Sequence, residues 1–218
     1  MRDVDDFAKF FIKNGADSVP NTYDGNMKLQ KLLVLSNLAS ISEFGEPLFN
    51  NEILIFENGC VIEKVRLRYK NDYSGFKRDS MDFQPDFSEH ETYILNLIMN
   101  IFGTASAREL SEINHTFDFW KKALNNGTNN YGFHDKNSSV VDMMSQNEDI
   151  KRMKEVISAY KESSADDFKK EIINGVTYYF GKDFEITDEI LSKLEKFALS
   201  AEDNSYTVYF DNGNLVIY

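Results

Sequence analysis

Apolar residues open the chain at Val4, Phe7, Ala8, Phe11 and Ile12. That i, i+3, i+4, i+7, i+8 spacing predicts an amphipathic helix with one buried stripe. Asn14-Gly15 ends it, and residues 17–26, "DSVPNTYDGN", read as a loop. The stretch from Met27 to Phe49 is patterned differently: Leu29, Leu32, Leu33, Val34, Leu35 and Leu38 take up most of a helical circumference. A helix apolar on most of its circumference is expected at the centre of a core, buried on nearly all sides. Gly45 supplies its stop and Pro47 prevents it from resuming.

Residues 52–69 read as β structure: a short apolar run Ile53–Phe56, a candidate tight turn at Asn58-Gly59, then alternation from Val61 to Tyr69. Residues 71–87, with Gly75 and Pro85, read as a long loop or short irregular pieces. Ser88-Glu-His-Glu91 and Ser106-Ala-Arg-Glu109 are capping-box patterns, each opening a helix, the first running to about Phe102. "FDFWKKALNN" adds a further turn or two. The composition then shifts to Asn, Gly and Ser, so residues 126–144 are expected to be a loop or linker.

In the C-terminal third, Ser145-Gln-Asn-Glu148 offers another capping box before a helix striped by Ile150, Met153, Ile157 and Tyr160. "SSADDFKKEII" reads as a second short helix and "NGVTYYFG" as a strand. Thr187 starts an amphipathic helix with Ile190, Leu191, Leu194, Phe197 and Ala198 on one face. The closing "YTVYFDNGNLVIY" is a hairpin around Asp211-Asn212-Gly213-Asn214, able to complete the chain's own sheet or to add strands to a partner's. The fold class is α+β, mainly α-helical: a helical domain with a small β-hairpin over residues 1–125, the 126–144 linker, and a 145–218 extension whose helices end in a hairpin.

Composition narrows the class. Of 218 residues, 42% are hydrophobic, with 18 Phe and 11 Tyr, enough for a packed core rather than a disordered chain. One cysteine, Cys60, cannot form an internal disulfide. The acidic amphipathic N-terminus is unlike a signal peptide, and no apolar run approaches the ~20 residues that cross a bilayer. The expectation is a cytoplasmic protein with no membrane partner. Charge changes the picture more. Thirty-six acidic against 24 basic residues give a net charge of −12, which disfavours nucleic acid and favours a basic protein partner. The exceptions are the pair Lys77-Arg78 and a strip of Lys64, Arg66, Arg68 and Lys70, which at period two would fall on one side of a strand. That strip is either a contact surface for nucleic acid or an acidic partner, or the lysine-rich face that keeps an edge strand from pairing.

The search for reactive groups returns little. No Gly-x-Ser-x-Gly, Ser-x-x-Lys or phosphate-cradling glycine pattern is present, and Cys60 has no His nearby in sequence. Glu112 and His115 form one Glu-x-x-His element, whereas di-iron bundles use that element twice with two further glutamates. His115 reads better as a structural residue at a helix end, and His90 and His134 have no such partner. No catalytic, metal or cofactor-binding residue is assigned, and no cofactor is expected.

Several pieces, in order, resemble the Panacea domain family of SocA-like antitoxins, also found as phage-associated proteins. They are the helix at Val4–Ile12, Leu29-Gln30-Lys31-Leu32-Leu33, Gly45-Glu46-Pro47-Leu48-Phe49, Gly59-Cys60-Val61, Ser106-Ala107-Arg108-Glu109-Leu110, and Ile113-Asn114-His115 with Phe119-Trp120. The resemblance covers about residues 3–125. It departs at Val34 and Leu35, where the family has aromatics, at Cys60, where it has proline, and at Phe117 and Phe119, where it has an acidic residue and proline. Apolar character is kept while turn-specific and polar residues change, which implies a retained fold before a retained partner.

The resemblance implies a non-enzymatic antitoxin of a mobile-element or prophage toxin–antitoxin pair, neutralising a cognate protein toxin encoded by an adjacent gene. A prophage-encoded adaptor for another host or phage protein is the alternative. Gln30, Lys31, Asn58, Gly59, His115 and Trp120 are the partner-binding candidates, with helix packing and capping as their other role. A homo-oligomer is left open.

Overall fold

The Leu-rich helix is the axis of the larger of two units, Met1–Ser158 and Ala159–Tyr218. The computed structural model describes residues 2–56, 59–127, 140–163, 168–181, 184–201, 203, 205–211 and 214–217. The architecture is mainly helical α+β, as the pattern of elements implies.

In the first unit, α1 (Val4–Lys13) buries Val4, Phe7, Ala8, Phe11 and Ile12, the stripe expected of it. The central α2 (Tyr23–Phe44) is capped at its start by Thr22, whose side chain accepts from Gly25 N–H, and ends at Gly45 in the left-handed conformation, φ 75°. Every residue from Lys28 to Ile41 is buried. Around it pack α1, α3 (Glu63–Asn71), α5 (Glu89–Phe102), α6 (Ala107–Thr116) and strand β2 (Gly59–Val61). Both expected capping boxes form, at Ser88/Glu91 before α5 and at Ser106/Glu109 before α6. The short α7 (Asp118–Gly127) packs on α6 and on β1 (Leu54–Phe56), and α8 (Asn147–Ser163) follows.

Strands β1 and β2 form an antiparallel hairpin in the register Leu54↔Val61, Ile55↔Cys60, Phe56↔Gly59. The expected strand over 61–69 is corrected: from Glu63 the chain is helix α3. Val65 and Tyr69, four residues apart, are buried while Leu67 between them is 40% exposed, so the alternation was one helical face and not one strand face. Glu63 in the first turn and Arg68 and Lys70 in the last also suit the helix dipole. The expected loop at 71–87 is likewise corrected by α4 (Tyr73–Asp82). Asp72 caps it by accepting from Gly75 N–H at 3.1 Å, and Tyr73, Phe76 and Ser80 form its buried stripe.

The expected capping box at Ser145/Glu148 does not form. Met143–Ser145 is a 3₁₀ turn capped by Asp142, and Ser145 Oγ donates to the Asp142 carbonyl at 2.9 Å. Residues 128–139, in the segment expected to be a linker and including His134, lie outside the described residues.

The second unit is a four-stranded sheet in the order β3-β4-β5-β6, with α9 (Asp188–Ala198) between β4 and β5. Strands β3 (Phe168–Ile173) and β4 (Val176–Gly181) are antiparallel, β4 and β5 (Ser205–Asp211) parallel, β5 and β6 (Asn214–Ile217) antiparallel. The helix expected over "SSADDFKKEII" is thus a strand from Phe168. The sequence carries the turn signal: Asn174-Gly175, both at positive φ, joins β3 to β4 as a tight hairpin. The C-terminal hairpin completes this chain's own sheet. Thr187 caps α9 as expected, and Ile190 and Leu194 pack with Val176, Tyr178, Phe180 and Val208 into a core. Tyr178 donates to the Leu194 carbonyl at 3.1 Å, so its hydroxyl is not buried without an acceptor.

Asn37, buried in α2, accepts from two backbone N–H groups, of Leu48 at 2.8 Å and of Phe49 at 3.2 Å, and so fixes the Gly45–Phe49 turn. Asn37→Ala strands both donors away from water. It is expected to cost roughly 2–4 kcal/mol in urea unfolding followed by far-UV circular dichroism. A loss under about 0.5 kcal/mol would show that water replaces the amide.

Candidate functional site

Three side chains hold the β1–β2 hairpin by its backbone. Lys31 sits on the buried length of α2, and its Nζ donates to the Cys60 carbonyl at 3.2 Å. One residue earlier, Gln30 Oε1 accepts from Ile62 N–H at 2.7 Å, where the hairpin passes into α3. From the opposite side, Trp120 Nε1 on α7 donates to the Phe56 carbonyl at 3.1 Å, at the end of β1. His115, on α6, stacks on the Trp120 ring with centroids 4.0 Å apart. Strands of three residues cannot stand alone in water, so this clamp replaces the neighbours that a larger sheet would supply.

Gly59 makes the approach of Lys31 possible. A Cβ at this position would lie 2.5 Å from Lys31 Nζ and 2.8 Å from its Cε, and the backbone has φ +101°, which L side chains rarely adopt. The structure therefore gathers Gln30, Lys31, Gly59, His115 and Trp120 around one hairpin. Asn58 lies outside the described residues. Gln30 and Lys31 are only 2% and 1% exposed, so they present almost no surface of their own and serve to position the hairpin.

The outer side of this frame is a groove of about 650 Å³, within the usual range of ligand pockets of roughly 300–1,000 Å³. Tyr23 and Met27 from the start of α2, Phe56 and Val61 from the hairpin, and Arg66 and Lys70 from α3 form its walls. Gln30 and Lys31 lie at its base. Tyr69, also lining it, donates to Asp17 Oδ2 at 2.8 Å and accepts from Asn21 N–H at 3.1 Å, which ties the loop before α2 to α3. Asn26 continues the link, donating to the Arg66 carbonyl at 3.1 Å.

The electrostatics follow from burial. Desolvation pushes the Lys31 ammonium down to about 8 and the Cys60 thiol up to about 12. Burial, and then the hydrogen bond to Asp17, raise the Tyr69 hydroxyl. A protonated, enclosed Cys60 is a packing residue. Glu112 is turned to Arg108, with Nε to Oε1 at 3.1 Å, and among the described residues no group of three or more His, Cys, Asp and Glu side chains is placed to hold a metal ion. No described helix is long and apolar enough to cross a membrane.

The basic strip is rearranged by the correction from strand to helix. Lys64 and Arg68, four residues apart, face α1 and α4: Lys64 pairs with Asp3 at 2.6 Å, and Arg68 with Asp5 at 3.1 Å and with Asp79. Arg66 and Lys70 form the other i, i+4 pair and face the groove. Sequence reasoning missed Tyr23, Tyr69 and this pairing. The signal that could have found Tyr69 and the pairing is the helical spacing of Val65 with Tyr69.

Residues 29–121 match the model of the family described as Antitoxin SocA-like, Panacea domain. The match bears out the resemblance over that span, from Leu29 on α2 through the hairpin to α7. No curated protein and no solved structure matches the chain.

Gly59→Ala is expected to lower unfolding free energy by roughly 2–4 kcal/mol, from φ strain together with the collision with Lys31. Thermal and urea unfolding measure it, and a near-neutral result would show that the hairpin shifts freely. Lys31 gives a pH signature. Its folded pKa lies below that of the unfolded side chain, so from pH 8 upward the unfolded state binds more protons and stability rises with pH. The Cys60 thiol, raised on folding, opposes this above about pH 9. Subtracting Lys31→Met from the parent removes that background. The difference is expected to grow in favour of the parent between pH 8 and 10, by at most about 1.4 kcal/mol per pH unit. A flat difference would mean that the amine stays hydrated.

Proposed function

We propose that this chain is a non-enzymatic antitoxin that neutralises a cognate protein toxin by direct binding. The observation that carries the reading is the family match over residues 29–121, the segment in which Gln30, Lys31, Gly59, His115 and Trp120 build one frame. Neutralisation of this kind needs a rigid complementary surface and no reacting group. A hairpin held at three backbone points, beside a groove with aromatic and arginine side chains, is suited to that task, because such residues supply most interface energy.

The net charge of −12 supports a partner that is basic overall, since opposite charge speeds encounter. On this reading the toxin is the product of an adjacent gene on a mobile element or prophage, and both proteins act in the cytoplasm. The five framing residues serve the partner-binding face by fixing the hairpin.

Expression of the adjacent gene alone is expected to arrest growth, and co-expression of this chain to restore it, with the two proteins co-eluting from a sizing column. A neighbour that is harmless alone and elutes separately would end the antitoxin reading.

A further inference from the structure

The groove has a charge opposite to that of the chain around it. Its described lining includes the cations Arg66 and Lys70, with Lys31 enclosed behind them, and no acidic residue, while the whole chain carries 36 acidic against 24 basic residues. Helical spacing creates this local inversion. Lys64 and Arg68 turn away to Asp3, Asp5 and Asp79, and Arg66 and Lys70 are left on the groove side. Arg66 uses Nε and Nη2 on Glu63, at 2.6 and 2.8 Å, which leaves further guanidinium N–H groups. Lys70 is exposed and has no ion pair among the described residues.

Beside these cations the lining has an apolar and aromatic part, Tyr23, Met27, Phe56 and Val61, with the uncharged polar Asn21, Thr22 and Asn26 next to it. Cations next to apolar walls match a peptide that carries a carboxylate beside an apolar side chain. A nucleic-acid strand is a poorer fit, because it needs a row of cations along many phosphates and would meet a surface of net charge −12 beyond the groove.

We propose that this groove docks an acidic segment of the partner protein, with its carboxylates on Arg66 and Lys70 and an apolar side chain against Tyr23, Met27 and Phe56. The segment is a few residues long, as the volume allows. Where the partner is identified as the toxin, the inference rests on the antitoxin reading; the groove chemistry stands without it. The net charge of −12 disfavours such a segment over the exterior as a whole, so the groove fixes one register for a partner drawn in by its basic surface.

The test has two arms, both using the full chain. In the first, a displayed library of random twelve-residue peptides is selected on the parent protein. Asp- or Glu-containing peptides with a neighbouring aromatic or aliphatic residue are expected to be enriched. Their affinity is expected to fall by about tenfold or more in Lys70→Glu and in Tyr23→Ala, both exposed positions, and to be unchanged in Lys151→Glu, an exposed site on α8. Circular dichroism confirms that each variant folds. Enrichment without acidic residues, equal binding to Lys70→Glu, or displacement of the peptides by an oligothymidylate strand would overturn the proposal.

In the second arm the adjacent gene product is titrated against the parent and Lys70→Glu. Tighter binding to the parent, restored to Lys70→Glu by an Asp→Lys or Glu→Lys change in one acidic segment of that product, supports the groove as the docking site. Equal binding to both overturns it. No binding to the parent removes the antitoxin reading, and the peptide arm then decides the groove by itself.

Discussion

Because α2 is buried at every position from Lys28 to Ile41, each polar side chain along that length must find its partner inside the protein. Lys28 donates to Ser18 Oγ and to the Gly103 carbonyl, both at 2.7 Å. Gln30 and Lys31 hold the hairpin, Asn37 holds the turn after the helix, and Ser40 donates to the Glu46 carbonyl at 2.7 Å. These partners are almost all backbone groups of segments without long-range regular structure. A buried donor left unpaired costs roughly 1–3 kcal/mol, more than a hydrogen bond gains over water. The penalty for losing each contact is what fixes these segments. The central helix thus positions the turns around it by polar contacts, while its leucines supply the bulk of the core.

The groove is a consequence of that arrangement. Its inner edge is a hairpin too short to persist alone, set at a fixed distance from α2 by a lysine that only a glycine lets through. Its outer edge is α3, tied to the same helix by the Asn26 amide and to the preceding loop by Tyr69. Both walls are therefore referenced to one rigid element, and the pocket between them is pre-formed. A pre-formed surface loses less entropy on association than one that must be ordered.

How far the sequence could be read depended on whether a signal was local. The α1 stripe, the enclosure of α2, its Gly45 stop and both serine capping boxes follow from spacing and cap chemistry within a few residues, and they form as expected. The errors fall where two periods fit the same residues. "VRLRY" alternates like a strand, yet Val65 and Tyr69 also stand four apart, and only packing against α2 favours the second reading. Phe168–Ile173 is too polar to read as a strand alone and becomes one by pairing with Val176–Gly181 across Asn174-Gly175. At the site, the motif residues were visible individually. Their convergence was not, because Gln30, Gly59 and Trp120 meet only through tertiary contacts. The groove was hidden by the same period error that made one basic strip out of two opposed pairs.

The departures from the family pattern bear on where partner choice resides. Val34, Leu35 and Cys60 are fully enclosed, and Phe117 and Phe119 are only 4% and 2% exposed. Changes at such positions must be accommodated by repacking, and they reach a partner only by shifting what lies above them. Cys60 offers its carbonyl to Lys31 as any residue there could, so replacing the family's proline preserves the clamp. The framework residues set the position of the hairpin and, on the proposed binding role, would carry no information about what docks on it. In the proposed docking it is Tyr23, at 65% exposure, and the solvent-facing Lys70 that would carry that information, because a change there alters an exposed position and leaves the buried network intact.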